Sequence, residues 1–496
     1  MSSKRDSGFT RRDFVKVSVL GVGAATLFSG LDPATVMAKV PKKWDMETDI
    51  LAVGAGGAGL AAAATAAAAG KKVLVLEKMP VMGGSSLICG GALAFAGTDM
   101  QQKEGIKDSS DLFYKDMMKV GENVNVPALV RSYVDHQLET YYWLKKLGVS
   151  FMKIGIASGM SVPRGHYVTP SQVLKALSDA ATAKGAKIEL NIAARMLVAD
   201  DKGNIKGVLA ERKGKKIMIG ARRGVILTSG GFSLNKKILA KFVPPMAKAQ
   251  ALVGRGSDGD GLKMAWAFGS DIEDMPYIKA TFGFAPDAGS IKNDFALTFY
   301  KGAIIVNKAG KRFVNESISY KLVGDAALVQ PDAMGFQIYD AAIRAEAIKD
   351  PLNAIEALEK NGKVFSGQTL AEVARKINVP AAALEATVKE YNENVAKGSD
   401  PQFGRNTLVA SFGKPVPIEK PPFYGFPATA VILGTYGGIL ANEKAQVMDV
   451  FGRPIPRLYA AGEILGGVHG AAYMTGTAFG KALVFGRLAA NELSKK

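Results

Sequence analysis

The stretch "TDILAVGAGGAGLAAAATAAAAGKKVLVLEK", residues 48–78, decides the fold. Asp49 to Val53 reads as an apolar strand. Gly54, Gly56 and Gly59 follow as G-x-G-x-x-G. An Ala-rich helix then runs to Gly70, a helix stop. "KVLVLE" is the next strand and ends at Glu77, 23 residues after Gly54. Strand, helix, second strand and acidic end together specify a dinucleotide-binding βαβ unit. Gly54 permits the tight turn, Gly56 lets the backbone approach a pyrophosphate, and Gly59 lets helix and sheet pack closely. The helix N-terminus offers oriented N–H groups to phosphate charge. Glu77 can accept hydrogen bonds from ribose hydroxyls.

The next residues separate flavin from nicotinamide. "EKMPVMGGSSLICGG" (77–91) runs from the second strand into Gly84, Ser85, Ser86, Gly90 and Gly91. Such a loop can line the pyrophosphate, ribityl chain and ring of FAD. Further motifs lie along the chain: "LTSGGF" (227–232), "GSDGDGLKMAWAFG" (256–269), "KGAIIVNKAGKRFVNES" (301–317) and "LYAAGEILGGVHG" (458–470). With these the chain resembles the fumarate reductase/succinate dehydrogenase flavoprotein family, especially its periplasmic flavocytochrome c-like branch.

That resemblance implies an α/β fold. A discontinuous Rossmann-like FAD-binding domain (45–280 and 420–496) is expected around an inserted α+β capping domain (281–419). It implies that Asp260 lies near the FAD chain and that Glu463 binds the ribityl hydroxyls. Ala58, Lys78, Ala194, Gly434, Ala478 and Phe479 are further implied cofactor contacts. The helix beginning near Thr477 should aim its N–H groups at the flavin O2/N1 edge, where reduction places negative charge. No metal site is expected.

The family's catalytic pattern is missing. Its members clamp substrate carboxylates with Arg and His and deliver a proton from an Arg. Carried over residue by residue, those positions hold Thr281, Phe299, Leu433, Gly434 and Tyr473. A buried dicarboxylate would lack its countercharges, at a cost of several kcal/mol. The replacements resemble the 3-ketosteroid dehydrogenases, in which a Tyr and a Gly N–H polarise a ketone oxygen. Tyr473 and Gly476 match that pair, although "YMTGT" departs from Tyr-Pro-Gly-x-Gly. Tyr320, after "VNESIS", matches the Tyr that acts at carbon, and Tyr300 is a second candidate. His469 is expected against flavin or backbone, and Arg164 and His166 at the site mouth.

The N-terminus reads as a targeting segment. "TRRDFVK" (10–16) is a twin-arginine pattern, followed by an apolar Gly/Ala-rich run and the small-residue stretch "VMA" (36–38). Residues 1–38 are therefore read as an export signal, which places the mature protein outside the cytoplasmic membrane. The formal charge is +18, about +16 once that segment is set aside. An acidic redox partner or an anionic membrane face suits this balance. Nucleic acid does not, since no nucleic-acid-binding motif is present. The single Cys89 allows no internal disulfide, and no Cys-x-x-Cys-His occurs. Electrons would then come from a separate c-type cytochrome or quinol-linked partner. The expected activity is reduction of a C=C conjugated to a carbonyl. A 3-ketosteroid-type dehydrogenase and a non-catalytic electron-transfer subunit stay open as alternatives.

Overall fold

Near-continuous apolar sequence marks a parallel strand covered on both faces. Met46–Val53 and Val73–Glu77 behave so, pairing in parallel from Ile50↔Val73 to Val53↔Leu76. The computed structural model describes residues 38–289, 293–318, 320–350, 353–408 and 413–495. The twin-arginine motif and its apolar run lie outside the described residues. Among those described, no helix is long and apolar enough to cross a membrane.

The chain divides into two units. The first takes the described parts of Met1–Val243, Val253–Ile278 and Gly434–Lys496. At its centre run Lys187–Leu190, Val73–Glu77, Met46–Val53, Lys215–Leu227 and Pro454–Ala460, neighbours paired in parallel. The other end of the long strand Lys215–Leu227 pairs antiparallel with Ile205–Arg212, which pairs with Ala193–Ala199. Arg212, Lys213, Lys215 and Lys216 sit exposed at that hairpin tip.

Helix Gly57–Ala68 is buried along nearly its whole length. Ala favours helix, and its small side chain lets the C-terminal helix Thr477–Lys495 approach closely. A Cβ on Gly486 would lie 2.4 Å from the Ala58 carbonyl oxygen. Phe479, in the first turn of the C-terminal helix, would lie 2.9 Å from a Cβ on Gly57. The two helices therefore bring their N-termini together.

The second unit comprises Pro244–Leu252 and Lys279–Leu433. Its sheet sets Met334–Asp340 antiparallel between Ile304–Val306 and Phe423–Thr435. Phe282, Phe299, Phe336, Ile338 and Phe426 fill the core beneath it. Helices Leu370–Lys376 and Ala381–Lys397 follow, the first capped by Thr369, the second opened by Pro380.

Candidate active site

The first unit holds a glycine cradle at the ends of its parallel strands. Gly54 has φ +116°, and a Cβ there would meet the Thr228 carbonyl oxygen at 2.4 Å. A Cβ on Gly59 would lie 1.9 Å from the Gly54 carbonyl oxygen, so only glycine lets the helix sit on the strand end. Cβ atoms on Gly84 and Gly90 would meet nothing within 4 Å. These backbones face open space.

Helix Gly57–Ala68 has no side-chain N-cap and no acid in its first turn. Its leading N–H groups suit an anion. Ser86 Oγ accepts from Gly57 N at 3.2 Å, and Ser85 Oγ accepts from Gly254 N at 3.0 Å. Each hydroxyl keeps its proton to donate. Glu77 is buried; one carboxylate oxygen accepts from Ala55 N and the other from Met79 N, both at 2.9 Å. A carboxylate has about four acceptor sites, which leaves capacity for ribose hydroxyls. The residues fit FAD: glycine backbone left open at Gly84 and Gly90, an uncapped helix end, and a fixed carboxylate one strand away.

Lys78 and Asp260 belong to one charge cluster. Lys78 Nζ lies 2.6 Å from Asp258 and 3.0 Å from Asp260. Asp260 also pairs with Lys263 at 2.8 Å. Burial pushes Asp260 up, but the bonds and charges of Lys263 and Lys78 outweigh it and hold the carboxyl at about 2. Ala194 lies buried on the neighbouring strand Ala193–Ala199. Glu463 accepts from Thr435 N at 3.0 Å, next to Gly434.

Tyr473 stands among rings from two segments. Its ring centroid lies 5.7 Å from His469, edge-on, and 6.0 Å from Tyr436. Gly476 has φ +90°, and a Cβ there would meet Ala94 N at 2.7 Å. Its carbonyl accepts from Ala94 N and from Gly480 N, so the turn into the C-terminal helix is fixed.

Arg164 and His166 do not line a site mouth; both side chains are wholly buried. Arg164 donates to Asp108 at 2.9 and 2.7 Å and to Asp116 at 2.6 Å. Asp116 also accepts from Ser161, and Ser158 O accepts from Thr475 N. Two polar residues flanking Gly165 suggest a site mouth, and their burial overturns that expectation. The carboxylate partners of Arg164 lie about fifty residues earlier and make it a brace behind the Tyr473 loop, while the His166 ring bonds Thr98 Oγ1 and the Arg164 carbonyl, each at 2.8 Å.

In the second unit, Phe299 is 0% exposed and packs on Phe282 and Tyr300. Burial, then the Asp350 charge, pushes Tyr300 up to about 12. Thr281 is buried in strand Ile278–Phe284. Tyr320 opens helix Tyr320–Leu328, but its side chain lies outside the described residues. Arg405, unremarked in sequence, is buried and donates to the carbonyls of Phe299 (2.9 Å) and Ala303 (3.0 Å). Arg312, Glu316 and Asp400 complete a buried ion network around it.

Three groups in the first unit escaped sequence reading. Tyr436 lies in "LGTYGG", two residues after Gly434, and is buried. Asp274 adopts φ 58° and accepts from Gly467 N and Gly470 N at 3.0 Å each. Lys481 is 1% exposed and donates to the Leu465 carbonyl at 2.8 Å. A lone Lys on the Thr477 face of "TAFGKALVFGRLAA" was the available signal.

The chain matches the FAD binding domain family over residues 49–478. It is 33% identical over 452 residues to the fumarate reductase (cytochrome) of Shewanella frigidimarina, covering 90% of this chain and 77% of that one. It is 32% identical over 507 residues to the acrylate reductase flavoprotein subunit of Shewanella woodyi, covering 97% of each. Among solved structures it resembles the open conformation of a flavocytochrome c3 fumarate reductase, with TM-score 0.81 and 29% identity over 100% of this chain and 82% of that one. The 3-ketosteroid-Δ4-(5α)-dehydrogenase of Rhodococcus jostii RHA1 gives TM-score 0.73 and 27% identity, covering 93% and 99%.

Proposed function

The chain belongs to the FAD binding domain family, as an FAD-dependent oxidoreductase of the fumarate reductase type acting on C=C bonds, and we propose that it reduces a C=C conjugated to a carbonyl in a substrate that is not a dicarboxylate. The observation that carries this reading is the loss of cations. Phe299 is fully buried among aromatics where the relatives' proton-donating Arg is expected. Tyr473, beside Tyr436 and His469, stands where the resemblance leads us to expect a carboxylate-binding Arg. A second carboxylate would be desolvated without a partner, which costs several kcal/mol.

Bound FAD supplies a hydride at N5. Gly54, Gly56, Ser85, Ser86, Glu77 and Glu463 are the residues that would hold it. The Tyr473 hydroxyl donates to the carbonyl oxygen as negative charge develops there, with the Gly476 N–H as second donor. Tyr300, pushed up to about 12 by burial and Asp350, keeps its proton through neutral pH. The same group would serve as acid in reduction and as base in dehydrogenation, so the preference for the reductive direction over 3-ketosteroid-type dehydrogenation rests on the C=C reductases among the relatives. Tyr320 is the rival donor.

Electrons come from a separate c-type cytochrome or quinol-linked protein. A relative of the same length, named a flavoprotein subunit, supports that division. The twin-arginine segment supports export of the folded, FAD-loaded protein. The test is anaerobic oxidation of reduced viologen with a panel of enones, monocarboxylic enoates and fumarate. Turnover should be found with an enone or monocarboxylic enoate, with fumarate at least about 100-fold slower, matching a deficit of roughly 3 kcal/mol. Fumarate as best substrate, or no turnover by any compound with FAD bound, would sink the proposal.

A further inference from the structure

Lys481 is a buried cation in a helix face that otherwise holds Thr477, Val484 and Leu488. Placing an ammonium there costs several kcal/mol that a Leu or Met would not. The ammonium has a hydrogen-bond partner, donating to the Leu465 carbonyl at 2.8 Å. Lys481 follows Thr477 by four residues, about 6 Å along the axis. Helical side chains lean toward the N-terminus, so the ammonium is carried back toward the helix start. The contacts agree: Leu465 and His469 belong to one loop, and His469 Nδ1 lies 3.5 Å from Thr477 Oγ1.

We propose that Lys481 is a charge placed behind the C-terminal helix N-terminus to stabilise bound FAD in its reduced state. The inference rests on the reading that the flavin O2/N1 edge meets this helix end. Two electrons and one proton leave the ring with a net negative charge. The helix end favours that charge, and a fixed cation one turn behind adds to it in a medium that screens weakly. The charged groups acting on Lys481 are the carboxylates of Glu463 and Asp274; nearby on the same helix, the His469 ring meets Thr477 and the Tyr133 hydroxyl of helix Pro127–Lys146 abuts Gly480. Burial pushes Lys481 down to about 8, opposed by Glu463 and Asp274. Burial holds Tyr133 protonated. Lys481 is therefore cationic at neutral pH and loses its charge above about pH 8.

The test is the flavin midpoint potential of the holoenzyme from pH 6 to 10, for the native protein and Lys481→Met. Below pH 8 the variant should lie lower by about 30 mV for each tenfold loss of preference for reduced flavin. The gap should close above pH 8. The native curve alone should steepen above pH 8 by about 30 mV per pH unit, as reduction takes up one further proton. FAD-loaded variant and native curves that superimpose would overturn the role of Lys481 alone. If neither Lys481→Met nor Lys481→Gln holds FAD, the native curve decides, and one unchanged slope from pH 7 to 9.5 overturns the proposal. Native protein that binds no FAD would overturn the cofactor placement and this inference with it.

Discussion

Replacing Arg164 with Met tests the brace behind the Tyr473 loop. The guanidinium is fully buried and makes three carboxylate bonds, two to Asp108 and one to Asp116. Met fills similar volume but leaves both carboxylates inside without their cation. Breaking one side of a buried pair costs about 3–5 kcal/mol. With a large unit shifting about 2–4 °C per kcal/mol, the melting temperature should fall by roughly 6–20 °C. The loss should not stay local. Arg164 Nη1 lies 3.9 Å from Met474 Sδ, and a Cβ on Gly159 would lie 3.1 Å from Met474 Cα. Limited proteolysis should therefore open the 470–476 segment before global unfolding. A pH arm makes the cause specific. In the native protein burial pushes Asp116 up, but its bonds from Ser161 and Arg164 prevail and hold the pKa down. Without Arg164, burial acts with less opposition and the pKa rises. The native protein loses this stabilisation as pH falls below about 4, and the variant has less of it to lose, so its deficit should narrow between about pH 5 and 3. A loss under about 1 kcal/mol by urea unfolding at pH 7, or a deficit that does not narrow by pH 3, would refute the reasoning.

Gly59→Ala puts a Cβ 1.9 Å from the Gly54 carbonyl oxygen, so the helix must lift. The expected cost is about 1–3 kcal/mol, with at least about tenfold weaker FAD binding by flavin fluorescence and an unchanged far-UV spectrum. Tyr473→Phe should keep full FAD content yet slow turnover by about 100-fold or more, the usual cost of one lost donor to a developing oxyanion; unchanged turnover would make Tyr473 a packing residue. Burial holds His166 down at about 4, against Arg164 O and nearby carboxylates. Between about pH 6.5 and 4 the unfolded chain binds its proton and the folded one does not, so stability is lost as pH falls through that window, up to about 3 kcal/mol. Urea unfolding of native protein and His166→Gln at pH 7, 5.5 and 4.5 should show a shallower fall for the variant.

The sequence by itself determined the FAD-binding core, and it carries the basis of the proposed change in substrate. Gly54 and Gly59 could be read from spacing because their reason is local: a turn and a helix start that admit no Cβ. The βαβ elements were legible because strand and helix periods are set by the chain itself. The substitutions at Phe299 and Tyr473 were equally readable, since a missing charge needs no coordinates.

What only the tertiary structure decided is which polar groups are buried and with whom. Arg164 and His166 looked like residues of an open mouth, yet their partners Asp108, Asp116 and Thr98 come from distant segments. Arg405 reaches back across about a hundred residues to hold the Phe299 turn. Lys481 reads in sequence as one more lysine of a basic chain, and only packing against the 463–470 loop makes it a buried cation. Burial and pairing are properties of contacts between remote segments. They fix charge state and position, and no local pattern encodes them.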